Sequence, residues 1–133
     1  MHIQTETHHE MSCQIVRQPE NFYTGTLMYK VFEVGQISGA SADAVRLQFK
    51  SICELVDGGG MVRHGTIMLG YHNRALKGDV LRVDGEIIGE WECDELEWCH
   101  FTALEASEVT LSAPSPWMLQ DAIADWESET TRS

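Results

Sequence analysis

The clearest pattern along the chain is an apolar stripe with helical spacing. Its members are Val45, Phe49, Ile52 and Val56, with Ala44 and Cys53 beside them. They recur every three or four residues, as the residues on one face of an α-helix do. Ser41 precedes the stripe in the position of an N-cap residue, and Gly58 follows it as a helix stop. The pattern predicts one amphipathic helix between these two residues.

A second stripe near the C-terminus predicts another helix. Ser115 suits the N-cap, and Pro116 suits the first helical position because a proline there loses no hydrogen bond. The apolar positions of this stripe are Leu119, Ala122, Ile123 and Trp126.

Runs rich in β-branched and aromatic residues predict strands on both sides of the first helix. Before it, the runs cover residues 13–17 and 26–34, with a loop over residues 19–25. After it, a strand over residues 61–71 and a turn-rich connection over residues 72–78 lead to four short strands. These cover residues 80–83, 86–93, 96–103 and 109–112, with two-residue turns at Asp84-Gly85 and Asp94-Glu95.

These elements predict an α+β fold with one mostly antiparallel sheet of about five to seven strands and two helices packed on one side. The 133 residues match the length of one domain of roughly 100–150 residues. We assign this domain to residues 13–128. Residues 1–12 are polar and are expected to form a flexible N-terminal tail, and residues 129–133 a C-terminal tail.

Charge is segregated along the sequence. The net charge is −12, yet residues 1–82 hold eight acidic and eight basic residues. Residues 83–131 hold thirteen acidic residues and no Lys or Arg. A field of one sign repels nucleic acid and membrane phosphates and attracts basic proteins. Solubility alone accounts for a high net charge, but it explains this segregation poorly.

The cysteines and the N-terminus bear on the cellular compartment. Cys13, Cys53, Cys93 and Cys99 do not have the spacing of a disulfide framework. The first residues lack the basic start and apolar run of a secretion signal, and no stretch reaches the roughly 18 apolar residues of a membrane span. We therefore expect a cytoplasmic protein with reduced thiols.

The segment around Asp94-Glu95 is the main candidate for an interaction surface. A two-residue turn there would pair Trp91 with Trp98 and Glu92 with Glu97, with the tryptophans on one face and the carboxylates on the other. The predicted partner-binding residues are Glu86, Glu90, Glu92, Asp94, Glu95 and Glu97, together with Trp117 near the start of the second helix. The alternative is a solvated acidic face without a partner.

A metal site is considered for Cys93, Cys99 and His100. Their C-x5-C-H spacing matches no standard zinc motif. The register above puts Cys93 and His100 on one face and Cys99 on the other. We predict core thiols and a half-buried histidine here, with no metal and no cofactor.

Catalytic motifs are missing from the sequence, which contains no GxSxG, HExxH, Walker or GxGxxG pattern. The mildly basic stretch over residues 64–77 offers an alternative ligand site that could hold a phosphate or carboxylate. Its residues are His64, His72, Arg74 and Lys77. Basic residues scattered over a loop are more often simply solvated.

The sequence therefore predicts a small acidic protein that acts by binding another macromolecule rather than as an enzyme. The expected partner is a basic protein or the nucleic-acid-binding surface of a protein, without direct contact to nucleic acid or membrane; a homodimer is left open. Inhibitors, antitoxins and anti-defence proteins of phages or mobile elements have this size and charge. The alternative is a small ligand-binding domain or an enzyme that uses residues 64–77.

Overall fold

The computed structural model describes the backbone of residues 3–132 and the side chains of residues 3–130. Within this part of the chain, antiparallel sheets and two helices confirm the α+β class. The structure differs from the prediction in that it has two sheets instead of one. The first helix packs on the first sheet and the second helix on the second.

The first sheet is a four-stranded meander in the order β1-β2-β3-β4. The strands are β1 Ile3–His8, β2 Met11–Gln18, β3 Phe22–Tyr29 and β4 Phe32–Gly39, and a short 3-10 turn covers Pro19–Asn21. Helix α1, Ala42–Asp57, packs against β2, β3 and β4.

Helix α1 forms where its pattern predicts. The Ser41 hydroxyl accepts a hydrogen bond from the Ala44 N–H at 3.1 Å, which satisfies one of the free donors of the first turn. At the other end the Gly58 N–H donates to the Glu54 carbonyl. The stripe faces the core: Val45, Phe49, Ile52 and Cys53 are buried and Val56 is half-buried.

The predicted tails are wrong for residues 3–12 and 129–132, whereas residues 1, 2 and 133 lie outside the described residues. Strand β1 pairs with β2 from Ile3 opposite Val16 to His8 opposite Met11, so these residues do not form a loose tail. Because β1 is an edge strand whose side chains are exposed or half-buried, its sequence is polar and carries no strand signal. Residues 129–132, expected as a tail, continue the second helix.

The second sheet has six strands in the order β10-β9-β8-β7-β6-β5. The strands are β5 Met61–Arg63, β6 Thr66–Met68, β7 Lys77–Arg82, β8 Ile87–Cys93, β9 Cys99–Ala103 and β10 Leu111–Ala113. Helix α2, Pro116–Arg132, covers one face of this sheet, and its Ser115 hydroxyl accepts from the Met118 N–H as predicted for a cap. The predicted turn at Asp84-Gly85 joins β7 to β8.

Two tight turns split segments that the sequence predicts as single strands. Lys30 and His64 have φ angles of 56° and 50°. They turn the chain between β3 and β4 and between β5 and β6. Neither turn carries the Asn-Gly or Asp-Gly pair that normally marks a tight hairpin, although His64 is followed by a glycine.

The core consists of two clusters on opposite faces of β6 and β7. Ile67 and Leu81 pack into the cluster of α1 and the first sheet, whereas Met68 and Val80 pack into the cluster of α2. This follows from the alternation of side chains along each strand. The α1 stripe therefore does not pack together with Leu119, Ile123 and Trp91, because these three belong to the α2 cluster.

Candidate functional site

The outer face of β7, β8 and β9 points away from α2. Along these strands Val80 and Trp91 are buried in the α2 cluster, and the alternate residues Asp79, Glu90 and Glu92 are exposed. We call these three residues the acidic face. They line a shallow depression of about 490 Å³, together with Lys77, His100, Thr102 and Val109.

The register of the strands sets carboxylates directly against each other. Asp79 on β7 lies opposite Glu90 on β8, and Glu90 lies opposite Thr102 on β9. In the next row Glu92 lies between Lys77 and His100. Like charges in opposed positions weaken strand pairing. The Asp79–Glu90 pair therefore opposes the pairing of β7 with β8.

The predicted register of β8 and β9 is wrong, because the turn between the two strands is longer than predicted. Cys93 lies opposite Cys99, so Trp91 pairs with Phe101 and Glu92 with His100. The loop holds residues 94–98 in place of the two predicted. The Asp94 carboxylate accepts hydrogen bonds from the backbone N–H groups of Leu96 at 2.8 Å and Trp98 at 3.1 Å. An aspartate that accepts from the backbone two residues on forms an Asx turn, and here the two hydrogen bonds stabilise the loop.

The loop of residues 94–98 exposes two large apolar side chains. Leu96 is 81% exposed and Trp98 is 46% exposed. Both lie in the loop next to the acidic face, together with the exposed Glu95 and Glu97. Large apolar side chains beside charged ones are common in protein interfaces. The loop thus adds apolar contact area at one end of the acidic face.

A chain of hydrogen bonds links the loop to the edge strand β10. Asp94 Oδ2 lies 2.8 Å from His100 Nε2, and His100 Nδ1 lies 2.7 Å from the Ser112 hydroxyl. The hydrogen bond with His100, followed by those from the Leu96 and Trp98 backbone, lowers the pKa of Asp94 below its ordinary value. A carboxylate, an imidazole and a hydroxyl in this order could activate the hydroxyl as a nucleophile. Since Asp94 also accepts from the loop backbone, this series of hydrogen bonds fixes the loop against β10.

A disulfide joins Cys93 to Cys99 at the base of this loop. The expectation of reduced thiols is wrong for this pair, and so is the expectation that their side chains point to opposite faces. Cys99 is buried in the α2 cluster, whereas His100 lies on the acidic side of the sheet. Both thiols are used in the disulfide, so Cys93, Cys99 and His100 do not form a metal site. Cys13 and Cys53 are free and buried, and burial raises the pKa of both thiols to about 11.

The predicted acidic patch is shorter than expected because Glu86 lies apart from it. Glu86 precedes β8 at the end of the strand far from the loop, and its carboxylate pairs with Arg82. Arg82 also pairs with Asp84 at 3.4 Å and with Glu127 on α2 at 3.1 Å. Arginines from the balanced part of the sequence therefore neutralise some of the thirteen acidic residues. The acidic groups at the other end of β8, near the loop, are the acidic face together with Asp94, Glu95 and Glu97.

Trp117 lies away from the acidic face and has an intramolecular contact. The guanidinium of Arg63 stacks on its ring, and Trp117 is 49% exposed. It lines an apolar groove of about 390 Å³ with Tyr29, Phe32, Val34, Met61 and other residues. The structure therefore separates Trp117 from the carboxylates with which the sequence grouped it.

The four residues of the alternative ligand site do not come together. His64 sits in the turn between β5 and β6, 3.4 Å from Asp121 of α2. His72 and Arg74 are exposed in the turns before β7. Lys77 lies on the outer face of the sheet, opposite Glu92. His64 and Lys77 therefore line different depressions of the surface, although they are close in sequence.

No family model, curated protein or solved structure matches this chain. Within the described residues, neither helix is long and apolar enough to cross a membrane. The geometry of the site is therefore the basis for a functional proposal.

Proposed function

We propose that the protein acts by binding a basic protein, or the basic nucleic-acid-binding surface of a protein, through its acidic face and the loop of residues 94–98. The observation that carries the proposal is the direct opposition of Asp79 and Glu90 on an outer sheet face, with Glu92 in the next row. Such an arrangement opposes strand pairing in the free protein. A cationic partner would relieve the repulsion on binding.

The neighbouring loop supports a protein partner over a small cation. Leu96 and Trp98 offer exposed apolar area next to the carboxylates. Charges at an interface mainly steer the encounter and set specificity, whereas large apolar side chains contribute most of the affinity. The two features together fit a partner that carries Lys or Arg beside an apolar pocket.

The biological role that fits this surface is that of an inhibitor, an antitoxin or an anti-defence protein of a phage or mobile element. A protein of this type occupies the cationic surface that its target uses for nucleic acid, and the acidic face has the required sign of charge. The alternative of a ligand-binding domain or enzyme built on residues 64–77 has less support, since His64 and Lys77 line different depressions of the surface.

For the location we propose the cytoplasm, and the cysteines bear on it in two ways. The free thiols of Cys13 and Cys53 fit a reducing compartment. The Cys93–Cys99 disulfide fits an oxidising one, because disulfides are rare in the reduced cytosol. Alkylation of the free thiols in the native host distinguishes the two compartments. A fully oxidised Cys93–Cys99 pair would argue against the cytoplasm.

The experiment that tests the proposal is a pull-down from the native host at low and high salt with a pair of charge variants. The double variant Glu90→Gln/Glu92→Gln removes two charges from the acidic face. The control Asp125→Asn/Glu129→Gln removes the same number of charges from exposed positions of α2, on the other side of the sheet. We expect a basic partner that is captured by the wild type and the control, is released by salt, and is lost or weakened with the double variant.

Two results would contradict the proposal. If both variants capture a basic partner as well as the wild type does, the acidic face is not the interface. If no basic protein is captured at either salt concentration, the proposed class of partner is wrong. The double variant should melt at the wild-type temperature or slightly above it, because exposed carboxylates contribute little to stability and their repulsion is removed. A failed capture therefore cannot be attributed to misfolding.

A further inference from the structure

The tip of the β1–β2 hairpin and the end of α1 bring together two histidines and a carboxylate. His8 Nε2 lies 2.7 Å from Asp57 Oδ2. His9 joins them, and one ligand atom of each of the three residues lies within 4.8 Å of the others. His8 is half-buried, and His9 and Asp57 are exposed. The cluster is separate from the acidic face, which lies on the other sheet.

The turn explains how two consecutive histidines reach the same side. Neighbouring residues of a strand point to opposite faces. His9, however, has a φ of 54° in the turn after β1, and its ring centroid lies 4.4 Å from that of His8. This left-handed backbone conformation is uncommon for a residue other than glycine. Here it places both imidazoles beside Asp57, the last residue of α1.

We propose that His8, His9 and Asp57 bind a divalent transition-metal ion, with Zn²⁺ as the expected ion. Imidazole and carboxylate are the ligands that catalytic zinc sites use with three protein ligands and a water. Zinc bound at about 2.0–2.1 Å in a tetrahedron holds its ligand atoms about 3.3 Å apart. His8 Nε2 and Asp57 Oδ2 lie 2.7 Å apart, and the other ligand atoms lie within 4.8 Å. Rotations of the exposed side chains would bring the three ligands to the separation that zinc requires.

Among the described residues, His8, His9 and Asp57 are the group whose ligand atoms all lie within 4.8 Å of one another. Cys53 lies nearby, lining the same depression as His8 and Asp57. Its side chain is buried in the core cluster of α1 and the first sheet, so it is not exposed beside the three ligands. Arg46 is engaged by Glu6 and Asp43, so its positive charge is partly neutralised. The site thus retains open coordination positions toward solvent.

Binding at this place would connect two elements that are far apart in sequence. His8 and His9 belong to the edge hairpin, and Asp57 belongs to the helix that packs on β2, β3 and β4. An ion that bridges them would stabilise the folded state by mass action, since the unfolded chain does not hold the three ligands together. A rise in melting temperature with metal is therefore a second readout beside binding itself.

The test is a calorimetric titration of the full chain with Zn²⁺, repeated for His9→Ala and Asp57→Asn. We expect one Zn²⁺ per chain for the wild type and a loss of affinity of at least about 10-fold in each variant, because ligand removal costs at least as much as loss of a supporting contact. Added Zn²⁺ should raise the melting temperature of the wild type and leave those of the variants nearly unchanged. Both substitutions are at exposed positions, and melting without metal verifies that each variant folds.

The matched control is His72→Ala, an exposed histidine in the turns before β7. This variant should bind Zn²⁺ like the wild type. The proposal is overturned if the wild type gives no binding at up to about 1 mM Zn²⁺. It is equally overturned if His9→Ala and Asp57→Asn bind as tightly as the wild type, or if His72→Ala abolishes binding.

Discussion

The guanidinium carbon of Arg63 lies 3.3 Å from the centroid of the Trp117 ring. Arg63 also donates to the Trp117 carbonyl at 3.2 Å and to Asp121 Oδ1 at 2.6 Å. Its side chain is only 13% exposed. One residue of the edge strand β5 thus makes a cation–π contact, a backbone hydrogen bond and an ion pair with the first turns of α2. Arg63 therefore fastens this helix to the edge of the second sheet.

The first prediction follows from these contacts. Arg63→Ala should lower the free energy of unfolding by about 2 kcal/mol, because it removes a partly buried charged hydrogen bond to Asp121 and the cation–π contact with Trp117. Arg74→Ala is the control, since Arg74 is exposed in a turn and its loss should change stability by less than about 0.5 kcal/mol. Urea unfolding measures both. Equal midpoints for the two variants would mean that Arg63 does not hold the helix.

The elements that the sequence predicts well are those determined by local chemistry. Helix α1 has a cap at Ser41, a stripe of constant period and a stop at Gly58, and each of these acts within a few residues. The start of α2 at Pro116 has the same kind of local signal. Even there, Gln120 is completely buried on the helix, and its amide donates to the Met61 and Thr66 carbonyls. No pattern in the sequence identifies these partners.

The features that the sequence did not predict depend on distant partners or on backbone conformation. The edge strand β1 forms because β2 offers a free edge, so its polar residues give no signal. The register of β8 and β9 depends on the length of the loop between them, which the Asp94 side chain stabilises by accepting from two backbone groups. The disulfide between Cys93 and Cys99 follows from that register. The acidic face was predicted in part, as Glu90 and Glu92, but its third member, Asp79, comes from another strand.

The second prediction concerns the core of the first sheet. Phe49 is 5% exposed on the inner face of α1, and Phe49→Ala should cost about 3–5 kcal/mol because it leaves a cavity. Leu47→Ala on the same helix is the matched control. Leu47 is 66% exposed, so its truncation should leave stability nearly unchanged. A Phe49→Ala protein that melts like the wild type would show that the stripe does not form the core.

The third prediction concerns the cysteines. A thiol reagent should find no reactive group in the native protein, two in denaturant and four after reduction in denaturant, since Cys13 and Cys53 are free but buried and the other two are joined. The double variant Cys93→Ser/Cys99→Ser should lose about 2 kcal/mol, the value that loop closure gives for a short loop. Finding four thiols in denaturant without reductant would contradict the disulfide.

The last prediction concerns pH and the loop of residues 94–98. The pKa of Asp94 is lowered in the folded protein, chiefly by the hydrogen bond with His100. The stabilisation from this carboxylate is therefore fully present above the ordinary aspartate pKa of about 3.9 and is lost as the pH falls through the lower folded value. Because protonation weakens the acceptor for the Leu96 and Trp98 N–H groups, their amide exchange should accelerate in this acid range relative to amides elsewhere in the sheet. In Asp94→Asn, which has no carboxylate to protonate, the relative protection of the two amides should not depend on pH there. If the wild type and the variant show the same relative change with pH, a group other than Asp94 controls the loop.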